Sequence, residues 1–404
     1  MSLRKDALIV LLITILCMLL FMQWFPPEPP ETGAGGLAAE PPDAAAAAKE
    51  DEPRPDIRLA MDVHLPEEAF RRLNERLEQM NRSFPHVRVE AANFPREGAV
   101  ERLDEAAAAG ELADIVMLDL EWAARFAAKG HLARWPGHER PASDPVQQLT
   151  GWNGYRWIAP WETDPYVVAY SGSLEAFAPG ESLPRTLGEW AELADRLKAG
   201  SGVGGLIYAD PDDPGAFITL ISAMGGSWRR TESGMIAPGD NGREILALLF
   251  GVGPEGGGER APLAVTEKLA REDMWRRFAD GTLPIIIVPL SELAGRGMAH
   301  RQVAGLVAAE DAGARAYWIK GTGLAVSSSS GFAGEAFEWL ETLLFGRDPG
   351  TAGRWPEHMA VAFGGDPDLP DKLEALKAAL PSLYAGGTGA DAFLESLEAQ
   401  RPAP

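Results

Sequence analysis

One cysteine, Cys17, is all that the 404-residue sequence contains, which excludes an intramolecular disulfide and any multi-cysteine zinc site. The six histidines (64, 86, 131, 138, 300 and 358) are scattered and form no HExxH pair. Positive charge is also scarce. Lys and Arg total 37 against 59 Asp and Glu, a net charge of −22. That balance argues against non-specific nucleic-acid binding, because gripping a phosphate backbone needs a surplus of positive charge. There is no GxSxG elbow and no Walker A lysine. The glycine cluster GSGVGG (200–205) follows no strand pattern and reads as a loop, not a dinucleotide site. ADPDDPG (209–215) is only faintly like a calcium loop, since Pro214 occupies a ligand position and no Glu stands at the right distance. No metal or cofactor is expected.

What is present is apolar material, 46% of residues, enough for a real core and for two domains of ordinary size. The compositional excess is tryptophan, with 12. At the N-terminus, Arg4 and Lys5 precede the uncharged run Ala7–Phe25, 19 residues long. A membrane-spanning helix needs roughly 20 apolar residues, and leading positive charges keep the short N-terminus in the cytoplasm. The flank Gln23-Trp24-Phe25-Pro26-Pro27 is poor for signal cleavage. Leu16 before Cys17 is wrong for lipidation, which wants a small residue there. Residues 1–25 therefore read as an uncleaved anchor, with Cys17 as one of its apolar residues. Residues 26–55, rich in Pro, Ala, Gly and Glu, cannot bury a core and read as a semi-extended spacer. The expected location is the extracytoplasmic face of a bacterial membrane.

From Asp56 the pattern becomes regular. DIRLAMDVHL alternates apolar residues as a strand does, and Pro66 opens a helix with Phe70, Leu73, Leu77 and Met80 on one face. HVRVE (86–90) is a short strand, a helix runs through Val100 and Leu103, and ADIVMLD is a strand buried on both faces. EWAARFAAKG is a helix closed by Gly130. This alternation predicts an α/β fold with a parallel sheet. Asp119, Glu121 and Trp122 then fall at the carboxyl end of a central strand, where open α/β sheets bind ligands. Asp119 is equally placed to cap the following helix.

WNGYRWIAPWETDPYVVAY (152–170) gathers Trp152, Tyr155, Trp157, Trp161, Tyr166 and Tyr170 around Glu162 and Asp164. Pro160 and Pro165 prevent a helix between them. Aromatic faces with nearby carboxylates suit a pocket for sugars or a box for a cation, and they equally suit a strand pair with Trp in the core. Trp161 beside Glu162 and Asp164 is the harder of these to read as core, because buried carboxylates need partners.

The order IRLAMDV, ADIVMLDLEWAARFAAKGHLARW and WNGYRWIAPWETDPYVVAYSGSLEAF resembles family 1 of the extracellular solute-binding proteins, the sugar-binding components of ABC importers. SLPRTLGEWAELADRLK, FITLISAMGGSW, FADGTLPIIIVPL and GTGLAVSSSSGFAGEAFEWLETLL follow in the family's order, over residues 56–350. The resemblance implies a two-lobed, periplasmic-binding-protein-like α/β fold with the chain crossing between lobes. It allots 56–162 and 305–345 to lobe 1, and 163–304 and 346–404 to lobe 2. It implies a ligand, most simply a saccharide, held in the cleft by Asp119, Trp122, Trp161, Glu162, Asp164, Tyr166, Trp228 and Trp318, with Pro289–Glu292 facing it. Two departures stand out: the apparent membrane helix in place of a lipidated cysteine, and Ser171 where the family usually has Asn.

The function so implied is capture of a small polar ligand by hinge closure, by a monomer that partners an ABC permease and catalyses nothing. Two alternatives share these residues. One is a membrane-tethered sensor with the same fold, and the other is a secreted glycoside hydrolase using Glu162 with Asp119.

Overall fold

A computed structural model describes residues 56–137, 145–176, 183–184, 186–200, 205–251, 262–296, 305–306, 316–345, 360–361 and 363–400. The expected anchor (1–25) and spacer (26–55) lie outside these residues. Among the described residues no helix is long and apolar enough to cross a membrane.

Eight strands form the main sheet: β1 (Ile57–Val63), β2 (Val87–Asn93), β3 (Ile115–Asp119), β4 (Ala159–Tyr170), β5 (Ile207–Tyr208), β6 (Ile285–Pro289), β7 (Gly305–Leu306) and β8 (Ile319–Val326). The helices that matter below are α1 (Glu67–Ser83), α2 (Ala99–Ala109), α3 (Ala123–Ala128), α4 (Pro214–Ala223), α5 (Arg271–Asp280), α6 (Ala333–Phe345) and α7 (Leu369–Tyr384). Helix α1 starts directly after Pro66, carries Glu67 and Glu68 in its first turn, and buries Leu73, Leu77 and Met80. Carboxylates in a first turn complement the positive end of the helix dipole.

The strand order is β2-β1-β3-β8-β4-β6-β5, with β7 beside β4. The expected parallel pairing holds for β1 with β2 and with β3. Strand β8 runs antiparallel between β3 and β4, so the whole sheet is mixed. The chain returns from the distal half to place β8 there, and local periodicity carries no trace of that event.

Strand β4 changes partners along its length. Its first half pairs with β8 as far as Pro165 opposite Ile319, and from Tyr166 onward it pairs with β6. Proline donates no N–H, so it is tolerated at the point where the ladder switches. The β4–β8 register slips between Thr322 and Gly323, pairing Glu162 and Pro160 and leaving Trp161 as the bulged residue. A bulge of this kind re-aims a side chain. Gly323 is required there, because a Cβ would lie 2.5 Å from Ile158 Cγ1.

The cores follow the two-residue period of the strands. In the first half, Met117 packs with Leu59, Leu73 and Trp339 on one face, while Val116 and Leu118 pack with Phe126 and Ile158 on the other. In the second half, Ile285 and Ile287 join Phe217, Leu246 and Leu376, and Ile286 and Val288 join Trp275 and Phe278. Among the described residues no cluster bridges the halves. Consecutive residues Trp318 and Ile319 enter the second-half and first-half cores respectively, so the chain crosses between them. The molecule is thus a two-lobed α/β protein. Strand β7 pairs with Tyr170 and Ala169, beside the second lobe's strands, although the resemblance allots residue 305 to the first.

Candidate functional site

Strand β3 ends at Asp119 and turns through a single 3-10 turn, Leu120–Trp122, into α3. Asp119 makes no capping hydrogen bond to that turn. Its Oδ1 instead accepts from Arg96 at 2.8 Å and lies 3.4 Å from His64 Nε2. The next acidic residue, Glu121, comes round to line a cavity of about 840 Å³ at the junction of the lobes. The walls of that cavity include Glu121, Trp122, Asp213, Gly215, Trp318 and Lys320.

From the second lobe, Asp213 is the N-cap of α4 with Pro214 at the first helical position. Asp before Pro is a strong local start signal, since the carboxylate takes orphan N–H groups and proline pre-sets the helical φ. Asp213 Oδ1 accepts from the Gly215 and Ala216 N–H groups at 3.0 and 3.3 Å. Its other oxygen accepts from Tyr166 Oη at 2.5 Å and from Lys320 Nζ at 3.3 Å. Lys320 also stands 4.8 Å from the Tyr166 ring centroid. Burial, then the Asp213 charge, pushes the Tyr166 hydroxyl far above its ordinary range, so it stays a donor. Gly215 lets the Trp318 indole lie flat against the start of α4: a Cβ would sit 2.4 Å from Trp318 Cδ1.

Helix α7 supplies the outer wall with Asp371, Glu374 and Lys377. Arg125 of α3 reaches it, donating to both Asp371 carboxylate oxygens and, at 3.0 Å, to Pro367 O. The same guanidinium lies 5.0 Å from the Trp122 ring centroid. This clasp ties the first lobe to the second at the edge of the cavity.

Glu121 makes no hydrogen bond or ion pair among the described residues. Burial, reinforced by the Asp119 charge, pushes its carboxyl up to about 7 from 4.5, against the opposing pull of Lys320 and Arg96. It is therefore divided between acid and carboxylate near neutral pH. Chemically the arrangement offers the half-buried Trp122 indole and an adaptable donor or acceptor in Glu121, while Asp213, already accepting from four donors, holds Tyr166 and Lys320 in place behind them. No cluster of His, Cys, Asp or Glu among the described residues could hold a metal ion.

Of the residues singled out from sequence, Trp122 and Trp318 line this cavity. Tyr166 is buried behind it and acts on it through Asp213. Asp164 accepts from the backbone N–H and hydroxyl of Ser291, fastening β4 to the segment after β6. Glu292, in that segment, pairs with Arg271 and accepts from Trp275 Nε1 at 3.0 Å. Trp161 and Glu162 line a separate groove of about 940 Å³ along α1. Trp228 packs edge-on against Phe217 and Phe363, with its indole N–H donated to Ser222 at 3.2 Å. Glu121, which the sequence places beside Trp122 at the strand end, lines the cavity too, whereas Asp213, Gly215 and Lys320 are cavity residues that no local pattern marked as ligand contacts. The Asp-Pro start signal was the available clue to Asp213.

No protein-family model matches the chain, and no curated protein matches it. Solved structures do. The GacH receptor of Streptomyces glaucescens, determined unliganded and with acarbose, superposes with a TM-score of 0.57 over 84% of this chain and 96% of that one, at 18% identity. The sugar-binding protein MalE from Xanthomonas citri gives a TM-score of 0.62 over 84% and 95%, at 15% identity. The galacto-N-biose/lacto-N-biose I-binding protein of an ABC transporter from Bifidobacterium longum, in complex with lacto-N-biose, gives 0.57 over 86% and 96%, at 18% identity. The fold of this chain is the one these structures share.

Proposed function

We propose that the chain is the extracytoplasmic solute-binding subunit of an ABC importer and captures a saccharide in the cavity between its lobes. The observation that carries this reading is the cavity itself. Trp122 offers an apolar surface there, Glu121 a hydroxyl partner and Lys320 a donor, with the buried Trp318 backing the wall. Large concave sites with a few converging polar groups are where small ligands bind. The solute-binding fold supports the reading, and so do the sugars named for the similar structures.

In this reading the first lobe comprises the described residues of 56–165 with 319–345, and the second those of 166–318 with 363–400. The return crossing is set later than 305 because of β7 pairing and Trp318 packing. The lobes close over the ligand by bending at the two described crossings, Pro165–Tyr166 and Trp318–Ile319. The uncharged run Ala7–Phe25 holds the protein at the membrane, beside its permease. The ligand leaves unchanged, without catalysis.

Titration calorimetry of the full-length chain against mono- and oligosaccharides tests this. Saturable one-to-one binding of a saccharide with no hydrolysis is expected. Binding of a peptide with no sugar binding refutes the saccharide assignment, and turnover of a glycoside refutes the non-enzymatic one.

A further inference from the structure

The charges around the cavity are unevenly satisfied. Asp213 is paired with Lys320, Asp371 with Arg125, Asp212 with Lys268, and Glu374 with Lys377 at 3.6 Å. Arg271 is taken by Glu292, outside the cavity, and keeps only a loose 3.9 Å contact with Asp210. The cations of the lining (Arg271, Lys320 and Lys377) therefore all have carboxylate partners already. Two lining carboxylates have no hydrogen bond or ion pair among the described residues: Glu101, which is exposed, and Glu121, which is more deeply set. The lining has vacant anions and no vacant cation.

We propose that the saccharide bound here carries a protonated amine, as an amino sugar does, and that Glu121 is the charge partner of that amine. The inference rests on the cavity being the saccharide site. A partly desolvated carboxylate is costly to ionise alone, and an ammonium within a few ångströms offsets that cost. Trp122 suits the same ligand, because indole faces accept both sugar C–H surfaces and cations. A neutral sugar leaves the negative excess uncompensated, and an anionic sugar meets like charge from Glu121 and Asp210.

The protonation state of Glu121 supplies a second signature. Near neutral pH the empty site is partly protonated at Glu121, burial favouring the proton most, with Asp119 and Asp213 adding to it and Lys320 and Arg96 opposing it. An incoming ammonium drives that proton off, whereas a neutral sugar does not.

The test is calorimetry of the full-length chain with matched pairs: glucosamine and glucose, galactosamine and galactose, and β-1,4-linked glucosamine disaccharide and cellobiose. Putrescine serves as a cation without a sugar. At least tenfold tighter binding of one amino sugar than of its neutral partner is expected. Proton release, read from the dependence of heat on buffer ionisation, should accompany only the amino sugar. Glu121→Gln should abolish the preference, and Glu121→Asp, which keeps the charge, should retain part of it. A circular dichroism melt of each variant shows that it is folded. Equal or weaker binding of the amino sugars, with neutral sugars bound, overturns the inference and leaves the saccharide reading intact. Binding of putrescine with no sugar bound overturns the saccharide reading and this inference with it, as does the absence of any binding.

Discussion

Glu121 is the residue whose chemistry is most sensitive to its surroundings. Its folded pKa of about 7 lies above the ordinary 4.5, so the folded state holds a proton across a window in which the unfolded chain has released it. The stabilisation from the neutral form is fully present below about 4.5 and is lost as pH rises through about 7. Glu121→Gln stays neutral throughout. The melting temperature of that variant relative to wild type should therefore climb between about pH 5 and about pH 8. Burial sets most of this window, with the Asp119 and Asp213 charges widening it and Lys320 and Arg96 narrowing it. A constant difference across that range contradicts the assignment.

Two further residues separate the cavity from the rest of the aromatic excess. Gly215→Ala drives a methyl into the Trp318 ring and should cost about 1–3 kcal/mol in urea unfolding, with weakened saccharide binding. Trp161→Ala should lower the melting temperature while leaving saccharide affinity unchanged. Trp161 is packed on the first-lobe core and lines the groove along α1. Loss of affinity in that variant would move the site to the α1 groove. The sequence could not tell Trp161 from Trp122, since both stand beside carboxylates near a strand end. What separates them is the bulge opposite Thr322 and Gly323, a long-range register that no local pattern encodes.

At the scale of elements, the order of strands and helices from Ile57 to Tyr170 was legible because it follows local rules. The two-residue alternation of β1, the heptad-like face of α1 and the continuous apolar run of β3 each point to one element type. The antiparallel insertion of β8 between β3 and β4 was not legible, because it depends on where a segment some two hundred residues later returns. The Arg125–Asp371 clasp between α3 and α7 was equally invisible. Its worth can be measured by a double-mutant cycle of Arg125→Ala and Asp371→Asn. A coupling of about 1–3 kcal/mol in unfolding free energy is expected for a partly buried, doubly hydrogen-bonded ion pair. Additive effects of the two substitutions would show that the clasp contributes nothing.

For the whole molecule, the central claim is that two lobes with separate cores enclose one ligand. The acidic surplus gains a specific meaning at the cavity, where Glu121 and the exposed Glu101 are left without partners among the described residues and the other lining carboxylates are paired. The tryptophan excess divides similarly. Trp135, Trp190, Trp318 and Trp339 are core, Trp318 at the back wall of the cavity; Trp228 packs in the second lobe, and Trp122 is the half-buried indole that faces the cavity. The most direct measurement is a crystal structure of the chain with a bound saccharide. The account predicts a sugar against Trp122, within hydrogen-bonding distance of Glu121. A sugar seated instead against Trp161 in the groove along α1, with the cavity between the lobes holding only solvent, would contradict it.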